Sequence, residues 1–235
     1  MSKEKDKLLN MFKEKKISEK EYKFLSDALD KKSSLDDIES SILLNPFKKV
    51  AGMKALMIGV VIMVLMSLLG VAAKMYLDGI FGSVLAFNIN TPIKPSFYLL
   101  MYQNIVSCLV LSSLFFMSAI FFNKKRMRYI DFLGMVTLSR YPFIILVGCT
   151  AFIQTFFPEF YKMDTTHGYE MHFSILRLID HLFFMTCFIW QIMTYFFALK
   201  EASGLEGRRL WISYLVAICL SDVLSTILSR IFLYT

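Results

Sequence analysis

The chain has 235 residues, 56% of them hydrophobic and 19% charged, with a formal charge of +7 and a mean hydropathy of +0.55. That composition excludes an ordinary soluble domain and a disordered chain, and only four cysteines exclude a disulfide-stapled secreted scaffold. The apolar residues gather in long uncharged runs, so the sequence predicts an all-α polytopic membrane protein with five transmembrane helices.

The first 45 residues are polar and read as a separate helical hairpin. Leu8, Leu9 and Phe12 form one apolar stripe. After a break at Lys16, Ser18-x-x-Glu21 has the form of a capping box, and Ile17 and Tyr22 form a hydrophobic staple across it. The second helix carries Tyr22, Leu25 and Leu29 on one face. A weaker box, Ser34-x-x-Asp37, opens a third stretch that ends at Asn45-Pro46. A unit of this size buries little by itself. It is either a self-contained hairpin on the membrane surface or a docking and oligomerisation element that uses Leu8, Phe12, Tyr22, Leu25 and Leu29. The stretch "LLNMFKEKKISEKEYKFLSDALDKK" resembles the short helix-turn-helix of SHOCT-like bacterial segments. That resemblance implies a bacterial source and an interaction role.

Residues 46–235 form the membrane part. Span one runs over 55–73, between Lys54 and Lys74, too far from the start for a signal peptide. A Gly, Asn and Pro-rich connection follows, then span two over 96–123, stopped by Lys124, Lys125, Arg126 and Arg128. Span three covers 132–157 with Arg140 inside it. Span four runs from about 175 to 199 and span five from 210 to 228. Cys108, Cys149, Cys187 and Cys219 all fall inside these runs and read as small packing residues.

The positions of the charges exclude a nucleic-acid partner. Thirteen of the 26 basic residues lie between Lys3 and Lys54, interleaved with ten acidic ones. That is a solvated helical surface, and the remaining basic residues mark topology. Four basic residues lie in 124–128 and three in 200–209, against one each in 75–94 and 158–173. This alternation predicts a cytosolic N-terminus and an outside C-terminus in the bacterial inner membrane. Trp211, Tyr214 and Tyr234 suit the interfacial belts. Anionic lipid headgroups are a secondary partner that the pattern allows.

Asp131-Phe132-Leu133-Gly134, Ser139-Arg140-Tyr141-Pro142 and the later "WQIMTYFFALKEASGLEGRRLW" resemble the YIP1 family over roughly residues 45–235. In bacterial members a similar Leu-Lys-Glu-x-x-Gly-Leu run ends the fourth span. The resemblance implies a five-span membrane protein. Eukaryotic members bind small prenylated GTPases and act in vesicle traffic; some bacterial relatives are accessory subunits of peptide-exporting or toxin-resistance ABC systems.

Ionisable groups inside the spans each need an account, because hydrocarbon does not solvate them. Arg177, Asp180 and His181 cluster at the outer end of span four and read as an interfacial ion pair with a hydrogen-bonded histidine. Asp222 lies ~18 Å from the cytosolic end of span five, near the midplane. Arg140 is either buried, with Asp131 and Asp222 as candidate partners, or it snorkels from a surface or re-entrant helix that Pro142 ends. Ser213, Ala217, Ser221, Ser225 and Ser229 recur every four residues and form a helix-packing face.

No catalytic, phosphate-loop or zinc-helix motif is present, so the sequence predicts no enzyme, no cofactor and no metal. The histidines His167, His172 and His181 do not have the spacing of a helical ligand pair. The function that the sequence supports is a scaffold or accessory subunit of a membrane transport complex. Its partners would be lipid, other membrane proteins such as ABC transporter subunits, or a second copy of the chain. The alternative is a small transporter or lipid-handling protein.

Overall fold

In a computed structural model, residues 3–14, 18, 20–27, 41, 43–77, 79–80, 95–122, 127–157 and 175–234 are described. All regular structure among them is helical. The chain divides into two compact units, Met1–Pro46 and Phe47–Thr235.

In the first unit, α1 (Lys3–Lys13) and α2 (residues 20–27) flank the capping box. The Ser18 N–H and hydroxyl both donate to Glu21 Oε2 at 2.8 Å, and the Glu21 N–H donates to Ser18 Oγ at 3.3 Å. These bonds satisfy N–H groups that a helix start leaves open. The Ser18 N–H, then its hydroxyl, hold the Glu21 carboxyl below its ordinary range. Phe12 stacks on Tyr22 with centroids 4.7 Å apart, and Leu8 is buried. Leu25 and its neighbour Phe24 are exposed. The staple through Ile17, the second box at Ser34 and Asp37, and Leu29 lie outside the described residues.

A 3-10 turn covers Pro46–Lys48, and the second unit continues through α3 (Gly52–Ala73), α4 (Phe97–Phe122), α5 (Tyr129–Leu138), α6 (Tyr141–Phe156), α7 (Ile175–Ser203) and α8 (Gly207–Tyr234). Five stretches are long and apolar enough to cross a membrane: Gly52–Ala73, Phe97–Phe122, Tyr129–Phe156, His181–Ser203 and Gly207–Ile231. In hydrocarbon each backbone N–H and C=O needs an internal partner, and the helix supplies it. The third stretch is one span made of two helices. Pro142 sits in the first turn of α6 and has no N–H to return to the preceding turn, so the helix breaks at Ser139 and Arg140.

Lipid is as apolar as leucine, so helices in this unit are sorted by residue size and polarity. On α3, the inward face carries Gly52, Ala55, Gly59, Ser67, Gly70 and Ala73, while Met57, Val61, Leu65 and Leu68 face outward. This small face receives α5. A Cβ on Gly59 would fall 2.7 Å from the Thr137 carbonyl carbon, and one on Gly134 would fall 2.5 Å from the Gly52 carbonyl oxygen. The two backbones are therefore in contact. α4 packs on α8, α5 and α3, and α7 packs on α6 and α5.

The stripe at every fourth residue of α8 is buried: Ser213, Ala217, Ser221, Ser225 and Ser229 are all at most 3% exposed. Its neighbour is α4 of the same chain, which Tyr102 marks by donating to the Leu228 carbonyl at 3.1 Å. Three expectations are corrected. Tyr214 packs inward, with its hydroxyl donating to the Ile192 carbonyl at 2.6 Å, because its ring packs on Phe115 and Phe196 while the buried hydroxyl still needs a hydrogen-bond partner. Cys149 and Cys219 are exposed on helix exteriors, and only Cys108 and Cys187 pack inside. Asp131 pairs with Arg128 at 3.1 Å and not with Arg140, since three residues on one turn bring those two side chains together.

The basic-loop pattern is testable in intact cells. Leu205 is buried, so Glu206→Cys and Arg126→Cys are the reporters for the basic loops. In a background without native cysteines, both should be shielded from an impermeant thiol reagent. Asn90→Cys and Thr165→Cys should react; labelling at position 206 would reverse spans four and five.

Candidate functional site

At the end of α3, Lys74 takes a left-handed conformation (φ 52°), and the Met75 N–H returns to the Gly70 carbonyl at 3.0 Å. This closes the helix in a Schellman pattern and turns the chain back on itself. Leu77, Gly79 and Ile80 follow as buried, non-helical backbone. Such backbone within a membrane unit requires partners from the protein.

Four spans supply them. From α4, Gln103 Oε1 accepts the Leu77 N–H at 2.9 Å, and the Ser107 hydroxyl donates to the Gly79 carbonyl at 2.8 Å. From the α5–α6 break, Arg140 Nη2 donates to the same Gly79 carbonyl at 3.4 Å. From α7, the Tyr195 hydroxyl donates to the Ile80 carbonyl at 3.1 Å. From α8, Asp222 Oδ1 accepts the Ile80 N–H at 3.3 Å. Gly79 has φ +76°, and a Cβ there would lie 2.9 Å from both Asp222 Oδ1 and Thr226 Oγ1.

Arg140 is 1% exposed, and a second of its three donor nitrogens, Nη1, bonds to Asn104 Oδ1. Asn104 in turn donates to Ser67 Oγ at 3.0 Å, and Ser67 donates to the Met63 carbonyl at 2.8 Å. One hydrogen-bonded line thus runs from the Gly79 carbonyl through Arg140 at the α5–α6 break to α4 and α3. The break places Arg140 in this line, because Ser139 ends its own turn on Met135 while its carbonyl accepts from Thr194 at 3.1 Å.

These contacts decide between the two readings of Arg140. It does not snorkel, since its side chain is buried and bonded to Asn104 of α4 and the Gly79 carbonyl. It also does not bond Asp222 directly: the two hold opposite sides of the same loop, one at the Gly79 carbonyl and the other at the Ile80 N–H. Arg177 and Asp180 lie in the first turns of α7, and His181 is exposed where the membrane stretch of that helix begins. His167 and His172 lie outside the described residues.

Gln103, Asn104, Ser67, Ser107 and Tyr195 carry no charge and are not among the residues that the sequence singles out. A signal for three of them was present: Gln103, Asn104 and Ser107 recur at helical spacing on one face of an otherwise apolar run. Neutral amides and hydroxyls in hydrocarbon carry the same need for partners. Gly79→Ala tests the site most simply. A left-handed non-glycine residue costs about 1–2 kcal/mol, and the clash with Asp222 adds to it. Denaturation in SDS should shift accordingly, while Gly204→Ala, with nothing near its Cβ, pays only the backbone part.

The arrangement binds backbone. Gln103, Ser107, Arg140, Tyr195 and Asp222 all meet the Leu77, Gly79 and Ile80 main chain. No protein-family model, no curated protein and no solved structure matches the chain.

Proposed function

We propose that this multi-pass membrane protein is a non-enzymatic scaffold or accessory subunit of a membrane transport complex. The YIP1 resemblance makes an ABC-type peptide exporter or toxin-resistance system the first complex to examine. The observation that carries the reading is the use of the intramembrane polar groups: Arg140, Gln103, Tyr195 and Asp222 hold the backbone of Leu77, Gly79 and Ile80 in the chain itself, and Asn104 holds Arg140. Polar groups spent on architecture fit a rigid subunit better than a reaction centre. The N-terminal hairpin adds support, because Phe24 is 74% exposed and Leu25 lies beside it on a helix already capped. Exposed apolar groups on a small unit favour docking.

Crosslinked pull-down from native membranes tests the proposal. The full chain should recover transporter subunits. Deletion of residues 1–44 removes no span, so insertion persists while recovery falls. Phe24→Ser with Leu25→Ser should do the same. Equal recovery by all three forms would rule out the docking role. A small transporter or lipid-handling protein is the second reading, favoured by the broken third span and the non-helical backbone at Leu77, Gly79 and Ile80, features that recur at transporter sites. Substrate uptake into vesicles holding only this chain would favour it.

A further inference from the structure

α4 and α8 run antiparallel, with Tyr102 opposite Leu228 at one end. At the other end they part around an apolar groove of about 290 Å3, whose walls include Leu114, Met117 and Phe121 from α4 and Ile212, Val216 and Leu220 from α8. We propose that this groove, with Arg208 and Arg209 at its mouth, is a binding site for one acyl chain and the headgroup of an anionic phospholipid.

Three observations converge on that ligand. The first is charge: Arg208 and Arg209 are exposed at the start of α8, whose first turn contains no acidic residue. The helix N-terminus adds its own partial positive charge there. Lys124, Lys125 and Arg126 follow the α4 wall within four residues of Phe122 in sequence, and the two connections together hold seven basic residues against Glu201 and Glu206. The second is register. Arg209 precedes Ile212 and Ser213 by three and four residues, so the cation lies on the groove's face, ~6 Å along the axis from Ser213. The third is an unpartnered polar atom: Ser213 lines the groove, is 2% exposed, and its hydroxyl has no hydrogen-bond partner. A lipid ester carbonyl would accept that O–H. Phosphate at the arginines, ester at Ser213 and chain along Val216 and Leu220 is the order in which a glycerophospholipid presents these groups.

The test places a reporter in the groove wall. Met117→Trp, in a full-length background carrying Trp190→Phe and Trp211→Phe, is reconstituted in nanodiscs of phosphatidylcholine. Dibrominated phosphatidylglycerol or dibrominated phosphatidylcholine is then titrated in as quencher. The anionic lipid should quench at a mole fraction roughly tenfold lower, given the attraction expected per basic residue near a membrane surface. Arg208→Gln with Arg209→Gln should remove most of that preference. Val216→Phe changes a residue 53% exposed, so folding is kept while the groove is filled, and quenching by the anionic lipid should fall to the zwitterionic level. Equal quenching by the two lipids in the parent would overturn the proposal. A preference that survives Val216→Phe would also overturn it, by reducing the site to a surface charge effect.

Discussion

Gly59→Leu should be the most damaging single substitution in the membrane unit, lowering stability by about 3 kcal/mol, the upper end of overpacking costs. The reason is that its neighbour is backbone. A Cβ at Gly59 meets Thr137 Oγ1 at 2.3 Å, Thr137 Cβ at 2.6 Å and the Thr137 carbonyl carbon at 2.7 Å. Side chains can rotate away, but a carbonyl carbon moves only with its helix, so α3 and α5 must separate. Gly134→Leu should behave alike, since its Cβ would meet the Gly52 carbonyl oxygen. Thr137→Ala should not rescue Gly59→Leu, because the Cβ and carbonyl contacts remain. Val60→Leu, on the outer face of the same helix, should stay within about 0.5 kcal/mol of the parent. SDS unfolding of the purified protein reads all four. A Gly59→Leu protein as stable as Val60→Leu would mean that α3 and α5 do not touch through backbone.

Arg140→Met should destabilise through Asn104. Its loss strands the Asn104 Oδ1 acceptor in a dry interior, a cost of about 1–3 kcal/mol, against some relief from no longer burying a charge. Asp222→Leu should cost a similar amount by stranding the Ile80 N–H. Because Arg140 and Asp222 hold the same loop from opposite sides, combining the two substitutions should not restore stability. Combining Arg140→Met with Asn104→Leu should restore part of it, since both ends of one hydrogen bond become apolar together. A double-mutant cycle on unfolding free energies separates the cases. Recovery in Arg140→Met with Asp222→Leu, and none with Asn104→Leu, would reinstate a direct ion pair.

The contrast between these partners shows how far the sequence reaches. All five spans were legible within about seven residues at their ends, because uncharged runs of this length have one stable form in hydrocarbon. The capping box at Ser18 and Glu21 was legible because it is local, closed within four residues. The α8 stripe was visible as a packing face, though not that α4 covers it. Pro142 marked a break, but Pro142 alone leaves both a surface helix and a kinked span open. Which side chains meet across 30 to 140 positions, as Arg140 meets Asn104 and Asp222 meets the Ile80 N–H, depends on how the helices turn about their axes. In lipid, every face of an apolar helix is equally soluble, so composition does not set that rotation. Small residues set it on α3, where Gly59 and Gly134 bring two backbones together. The buried loop sets it for α4, α7 and α8, because Leu77, Gly79 and Ile80 need donors and acceptors, and Gln103, Ser107, Arg140, Tyr195 and Asp222 bring them to that depth.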